Sequence, residues 1–193
     1  MLKSNNLQCG DIIFQTVKQN NSFNGAVSRS GAAPNKDELT NSINHVGLYI
    51  GNNIIIEANQ KKGVIKQPIS DFLLDGKYHI VATIYNSKMI KNAVERVQNC
   101  LGLPYNHSFH PEAEGFYCSQ LITYAFKTED NSDYFQLYPM NFKDVTNQKI
   151  IPYWHNYYRS LKQSIPQGEL GSHPQQLLRQ THLFKMIRLL STQ

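Results

Sequence analysis

His45-Val46-Gly47-Leu48-Tyr49-Ile50-Gly51-Asn52-Asn53-Ile54-Ile55-Ile56-Glu57-Ala58-Asn59 is two β-rich runs joined by a tight Gly-Asn-Asn turn, the clearest hairpin in the chain. Upstream, Cys9 to Val17 opens on a turn signal and continues as a strand, placed near one edge of a sheet. Downstream, Gly63 to Ile69 and Tyr78 to Tyr85 supply two more strands, with Ser70 to Leu74 between them as a short helix or turn. Four or five consecutive strands predict an antiparallel sheet or a strongly curved small barrel. Lys18 to Asn44 is rich in Asn, Ser, Gly and Ala around Pro34, and holds helical turns only at Asn24 to Ser28 and Lys36 to Leu39. A connection of that length in a compact domain predicts a lid, a binding loop or a mobile segment.

Past Asn86 the hydrophobic period becomes helical. Ile90, Ala93, Val94, Val97 and Leu101 form one stripe, Ser87 is placed to cap it, and Gly102 followed by Pro104 ends it, which predicts a helix over Lys88 to Leu101 with Cys100 in the core. A loop from Leu103 to Glu114 leads to Gly115–Lys127, where Leu121, Ile122, Ala125 and Phe126 recur at helical spacing. Cys118 then falls in the first turn, where unpaired backbone N–H groups and the positive end of the helix dipole favour a thiolate. On position alone it reads more readily as a small core residue, as most free cysteines are, and other parts of the chain must decide. Tyr134 to Tyr158 is aromatic-rich and broken by Pro139 and Pro152; Gln175 to Leu190 is predicted as a final amphipathic helix with Leu177, Leu178, Phe184, Ile187 and Leu190 on its apolar side.

The 193 residues, 40% of them hydrophobic, fit one domain over residues 1–193 with a real core. Apolar runs such as Val46 to Ile50 fall far short of a membrane span, and Met1 to Asn6 leads into no apolar signal region, so a cytoplasmic chain without stable membrane insertion is expected. Three cysteines without a pairing motif argue against a disulfide framework. A net charge of +5 from dispersed lysines lacks the basic stripe that nucleic acid requires.

Cysteine nucleophilic catalysis needs a thiolate, an imidazole to share its proton and a polar group to orient the imidazole. Cys118 starts a helix, His45 starts a strand, and Glu57 lies near the end of the hairpin partner. An odd loop or a bulge puts His45 and Glu57 on one face as diagonal neighbours; a plain two-residue turn puts them on opposite faces.

Gly10-Asp11-Ile12-Ile13-Phe14, His45-Val46-Gly47-Leu48-Tyr49-Ile50-Gly51, Ile56-Glu57-Ala58, Gly102-Leu103-Pro104-Tyr105 and Phe116-Tyr117-Cys118-Ser119-Gln120-Leu121-Ile122 resemble, in order, the YiiX/YebB-like proteins. These are circularly permuted members of the NlpC branch of papain-like cysteine peptidases. The resemblance implies an α+β, permuted papain-like fold, with a small curved antiparallel sheet or barrel packed against helices that include the nucleophile helix. It also implies Cys118 as nucleophile, His45 as general base, Glu57 as its orienting group, and Tyr105 as oxyanion donor beside the backbone N–H of Cys118. Gln120 stands where a glutamate is expected and Asn106 where an aspartate is, which bears on substrate choice.

The expected activity is therefore hydrolysis of an amide in a small peptide or acyl amide, with cell-wall-type peptides favoured by the resemblance and no cofactor. Lys18 to Asn44 and Tyr134 to Tyr158 are the candidate pocket walls. Lipid acyl transfer or thioester cleavage on the same fold, and a binding module without turnover, remain as alternatives. Zinc held by His107, His110 and Cys118 is disfavoured, because no paired-cysteine or His-Glu-x-x-His motif accompanies them.

Overall fold

The computed structural model describes residues 6–17, 22–33 and 37–190; Lys18, Pro34 and Lys36 of the predicted long loop lie outside them. The strands are β1 (Ile12–Val17), β2 (His45–Gly51), β3 (Ile54–Asn59), β4 (Gly63–Pro68) and β5 (Gly76–Ile84), with β8 (Phe184–Leu189) arriving from the far end of the chain. They form one sheet in the order β4-β3-β2-β1-β5-β8, every pair antiparallel. Tyr138–Pro139 (β6) and Leu170–Gly171 (β7) pair separately. The helices are α1 (Ser22–Gly31), α2 (Glu38–Ser42), α3 (Ile69–Asp75), α4 (Ser87–Asn99), α5 (Cys118–Ala125), α6 (Pro152–Leu161) and α7 (Pro174–Arg179). Among the described residues no helix is long and apolar enough to cross a membrane.

Alternation along the strands divides the core in two. Ile12, Phe14, Val46, Leu48, Ile56 and Ala58 face the larger core, which they share with Val97 of α4 and Leu121 and Ile122 of α5. Ile13, Tyr49 and Ile55 face the other way, onto Ile69, Phe72 and Leu73 of α3.

Four expectations are corrected. β1 lies inside the sheet, between β2 and β5, rather than near an edge; the fully buried run Ile12-Ile13-Phe14 is what a strand covered on both faces requires. Among the described residues of Lys18 to Asn44, the helical turns are longer than expected, α1 over Ser22–Gly31 and α2 over Glu38–Ser42, because Phe23, Ala26 and Val27 give α1 a buried face. Asn86, not Ser87, caps α4, its side chain accepting from the backbone N–H of Met89 at 3.0 Å.

The predicted helix over Gln175–Leu190 ends at Arg179. After a short 3-10 turn the chain becomes β8, whose pairing runs from Ile84↔Phe184 to Ile80↔Leu189. Left unpaired, β5 would present a row of free backbone N–H and C=O groups, and pairing there outweighs the local helical period.

Candidate active site

The hairpin places His45 and Glu57 through its turn. Gly51, Asn52 and Asn53 all have positive φ, and a bulge between Tyr49 and Gly51 supplies the extra residue that restores parity. Gly47 sits directly opposite Glu57, so His45, two residues earlier on the same face, is its diagonal neighbour. His45 Nε2 and Glu57 Oε2 form a close ion pair, and Gln67 Nε2 on β4 donates to Glu57 Oε1. Both oxygens of a carboxylate only 2% exposed are thus engaged. Phe72 of α3 backs the imidazole at 5.7 Å between ring centroids.

Cys118 is the first residue of α5, and its side chain lines the same cleft as His45. Glu57 occupies Nε2, which leaves Nδ1 of the ring for the sulfur, and a side-chain hydrogen bond joins His45 to Cys118. Burial alone would push the imidazole pKa down. The Glu57 charge and the hydrogen bonds that the ring makes to Cys118 and Glu57 outweigh it and hold His45 up at about 10. The imidazole therefore carries protons on both ring nitrogens at neutral pH.

Tyr105 reaches this cleft because two backbone segments meet closely. Phe116 N–H donates to Pro104 O at 3.1 Å and Asn106 N–H to Phe116 O at 3.2 Å. A Cβ on Gly115, which has φ +84°, would come within 2.0 Å of Pro104 O, so the approach needs glycine. Among the described residues the Tyr105 hydroxyl has no hydrogen-bond partner; burial, then the charge of Cys118, raises its pKa well above the ordinary value, so it remains a donor. Neighbouring Tyr117 is committed, its hydroxyl accepting from Ser172 N–H at 3.1 Å.

The two departures from the resembled pattern bond to each other. Asn106 Nδ2 donates to Gln120 Oε1 at 3.2 Å, and the same oxygen accepts from Tyr117 N–H at 3.2 Å. A carboxylate at both positions would set two like charges in contact; the amide pair instead fixes the entry to α5. Neither residue is among those lining the cleft; their bonds hold the start of the helix. His107 and His110 turn to other partners, Tyr157 and Glu169, each at 3.2 Å.

The cleft encloses about 380 Å³. Phe23 and Val27 of α1 and Met140, Phe142 and Trp154 of the aromatic region supply walls from both predicted segments. Sequence reasoning missed Gln67. Its signal was alternation along β4, where Ile65 pairs with Glu57 and Gln67 follows on the same face, but that requires the β3–β4 register.

A six-stranded antiparallel sheet with a cysteine-headed helix against it and the histidine strand earlier in the chain defines a permuted papain-like hydrolase. The profile of the permuted papain-like amidase enzymes, the YaeF/YiiX or C92 family, matches residues 6–187, and the chain belongs to that family, an enzyme of the cysteine hydrolase type. Among solved structures it is similar to one described as the metalloprotein YiiX from Escherichia coli O157:H7, with TM-score 0.71 and 18% identity over 96% of this chain and 97% of that one. A comparison with curated proteins gave no match.

Proposed function

We propose that this chain hydrolyses an amide through an acyl thioester on Cys118. The observation that carries it is the line Cys118–His45–Glu57–Gln67, running from a cleft-lining sulfur to a buried, doubly bonded carboxylate. Cys118 Sγ attacks the substrate carbonyl carbon while the proton held on His45 passes to the amide nitrogen; the C–N bond breaks and the amine leaves. Water then attacks the thioester and His45 takes its proton; the C–S bond breaks, the carboxylic acid leaves, and the sulfur is freed as thiolate beside the reprotonated ring. Glu57 keeps the ring oriented and stabilises its charged form. The unpaired Tyr105 hydroxyl and the backbone N–H of Cys118 at the head of α5 are the oxyanion donors.

The metal in the YiiX description belongs to that protein. Among the described residues here, no three His, Cys, Asp or Glu side chains are grouped to hold an ion, and no step runs through one.

Alkylation tests the assignment and separates catalysis from a binding module. Cys9 is exposed, with its pKa raised by burial and by Asp11; Cys100 is buried, its thiol donating to Arg96 O at 3.3 Å. Iodoacetamide at neutral pH is expected to modify Cys118 first although Cys9 is more exposed, and the Cys118→Ala variant to lose both this fast phase and all turnover. Modification of Cys9 ahead of Cys118 would sink the proposal.

A further inference from the structure

The polar row that orients His45 continues across the sheet beyond it. Gln15 on β1 lies directly opposite His45, and His79 on β5 directly opposite Gln15. Gln67, Glu57, His45, Gln15 and His79 thus follow one another over five strands, on the face that otherwise carries Ile13, Tyr49 and Ile55. The first three are bonded to one another. The last two are not: Gln15 is 1% and His79 3% exposed, yet among the described residues neither Gln15 Oε1 nor either ring nitrogen of His79 meets a hydrogen-bond partner. Buried polar atoms are ordinarily paired, with ordered water where no protein group reaches them.

Both side chains point at one place, the first residue of β5. A Cβ on Gly76 would stand 2.5 Å from His79 Nε2 and 2.6 Å from Gln15 Oε1. The φ of Gly76 is −99°, which any residue adopts, so the position calls for glycine through space alone. A bulge brings it there: Val17 pairs with Gly76, where an unbroken register from Gln15↔His79 would bring Lys77. Gln15, Val17 and Asp75 line the cleft together with Asn44 and His45, so this place adjoins the sheet end of the site. Burial lowers the His79 pKa, against a smaller upward pull from the Leu73 backbone, and the neutral ring has one N–H donor and one acceptor nitrogen. A neutral imidazole beside a neutral carboxamide suits a water molecule; two uncharged donors are too few for a cation.

From this placement we infer that Gln15 and His79 bind a water molecule beside His45 and supply it to the acyl thioester, which commits the enzyme to hydrolysis rather than acyl transfer. The inference rests on the Cys118 acyl-enzyme reading given above. Once the amine has left, His45 is neutral and ready to take a proton, so the attacking water has to arrive on the imidazole side. Water held one strand away, on the same face, is already there. Its oxygen bonds to the thioester carbon, its proton passes to His45, and the C–S bond breaks to return the thiolate. Gln15 and His79 act through the water, as positioning residues.

p-Nitrophenyl acetate tests this, because the burst of p-nitrophenolate lost in Cys118→Ala reads acylation and the later steady rate reads deacylation. In Gln15→Leu and Gly76→Ala the burst is expected to persist while the steady rate falls about tenfold and acetyl-enzyme accumulates in the intact mass spectrum. Added hydroxylamine should then divert a larger share of the acetyl group to the hydroxamate than in wild type. His79→Gln keeps a donor and an acceptor and is expected to hold the wild-type partition, where His79→Leu does not. Burst and steady rate falling together, with the partition between acetate and hydroxamate unchanged, would make the role structural and overturn the inference while the acyl-enzyme stands. Wild type without a Cys118-dependent burst would retire the acyl-enzyme reading and the inference with it. A high-resolution crystal structure of the wild type decides independently of how the variants fold: ordered water bonded to both Gln15 and His79 supports the site, and a direct bond between the two side chains with no water overturns it.

Discussion

His45 keeps its proton in the folded chain to about pH 10, against an ordinary value of 6.5, and the consequence for stability has a definite sign. Between those values the folded state binds the proton and the unfolded state does not, so the contribution is complete below about 6.5 and is lost as pH rises toward 10. Chemical denaturation across that window is expected to show stability falling with pH, and Glu57→Gln to flatten the slope. The same substitution removes the charge that holds the proton on the ring, and kcat is expected to fall on the order of 10²-fold or more. A slope unchanged in Glu57→Gln would show that the carboxylate does not govern His45. Gln67 acts one bond further back. Gln67→Ala leaves a buried carboxylate oxygen without its donor, which is expected to cost about 1–3 kcal/mol and to lower kcat with KM little changed, measured by unfolding and steady-state kinetics. Cys118, His45 and Glu57 were legible in the sequence because each belongs to a short motif. Gln67 has no motif of its own and becomes visible only through strand register.

At the scale of elements, the head of α5 depends on one side chain. Gln120 Oε1 accepts from both Tyr117 N–H and Asn106 Nδ2, joining the loop that carries Tyr105 to the turn that carries Cys118. Gln120→Ala is expected to cost about 1 kcal/mol in denaturant unfolding, the size of a lost cap, and to slow Cys118 alkylation. Gln120→Glu still offers an oxygen to both donors and is expected to retain most of that stability; equal losses in the two variants would rule out the acceptor role. Elements whose pattern is local, such as the β2–β3 hairpin, α4 and α5, were readable from periodicity and turn residues. The end of the chain was not. Leu177, Leu178, Phe184 and Ile187 fall at helical spacing, yet half of that stretch is claimed by the open side of β5, a partner roughly a hundred residues away that no local window contains.

At the scale of the whole molecule, the site is assembled from both ends of the chain, and one buried side chain joins them. Gln175, fully buried on α7, directs Nε2 at three carbonyls: Ser28 O at 3.0 Å on α1, Asn41 O at 2.8 Å on α2, and Ile43 O at 2.9 Å just ahead of β2. Arg179, one turn later, holds Gln175 Oε1 at 2.9 Å and Asn41 Oδ1 at 3.0 Å. α7 therefore fixes both the cleft wall carried by α1 and the point where the chain enters the sheet at His45. Gln175→Leu fills similar space without a donor and leaves these buried carbonyls under-satisfied, with an expected loss of about 1–3 kcal/mol. Because α1 and the start of β2 lose a common tether, the damage should reach the cleft. KM for a cleaved amide is expected to rise and Cys118 alkylation to slow, whereas a surface change such as Lys185→Ala on β8 should alter neither. Hydrogen exchange at the amides of α1 and Asn44–Val46 checks the route: faster exchange at both in Gln175→Leu supports the tether, and protection equal to wild type would disprove it.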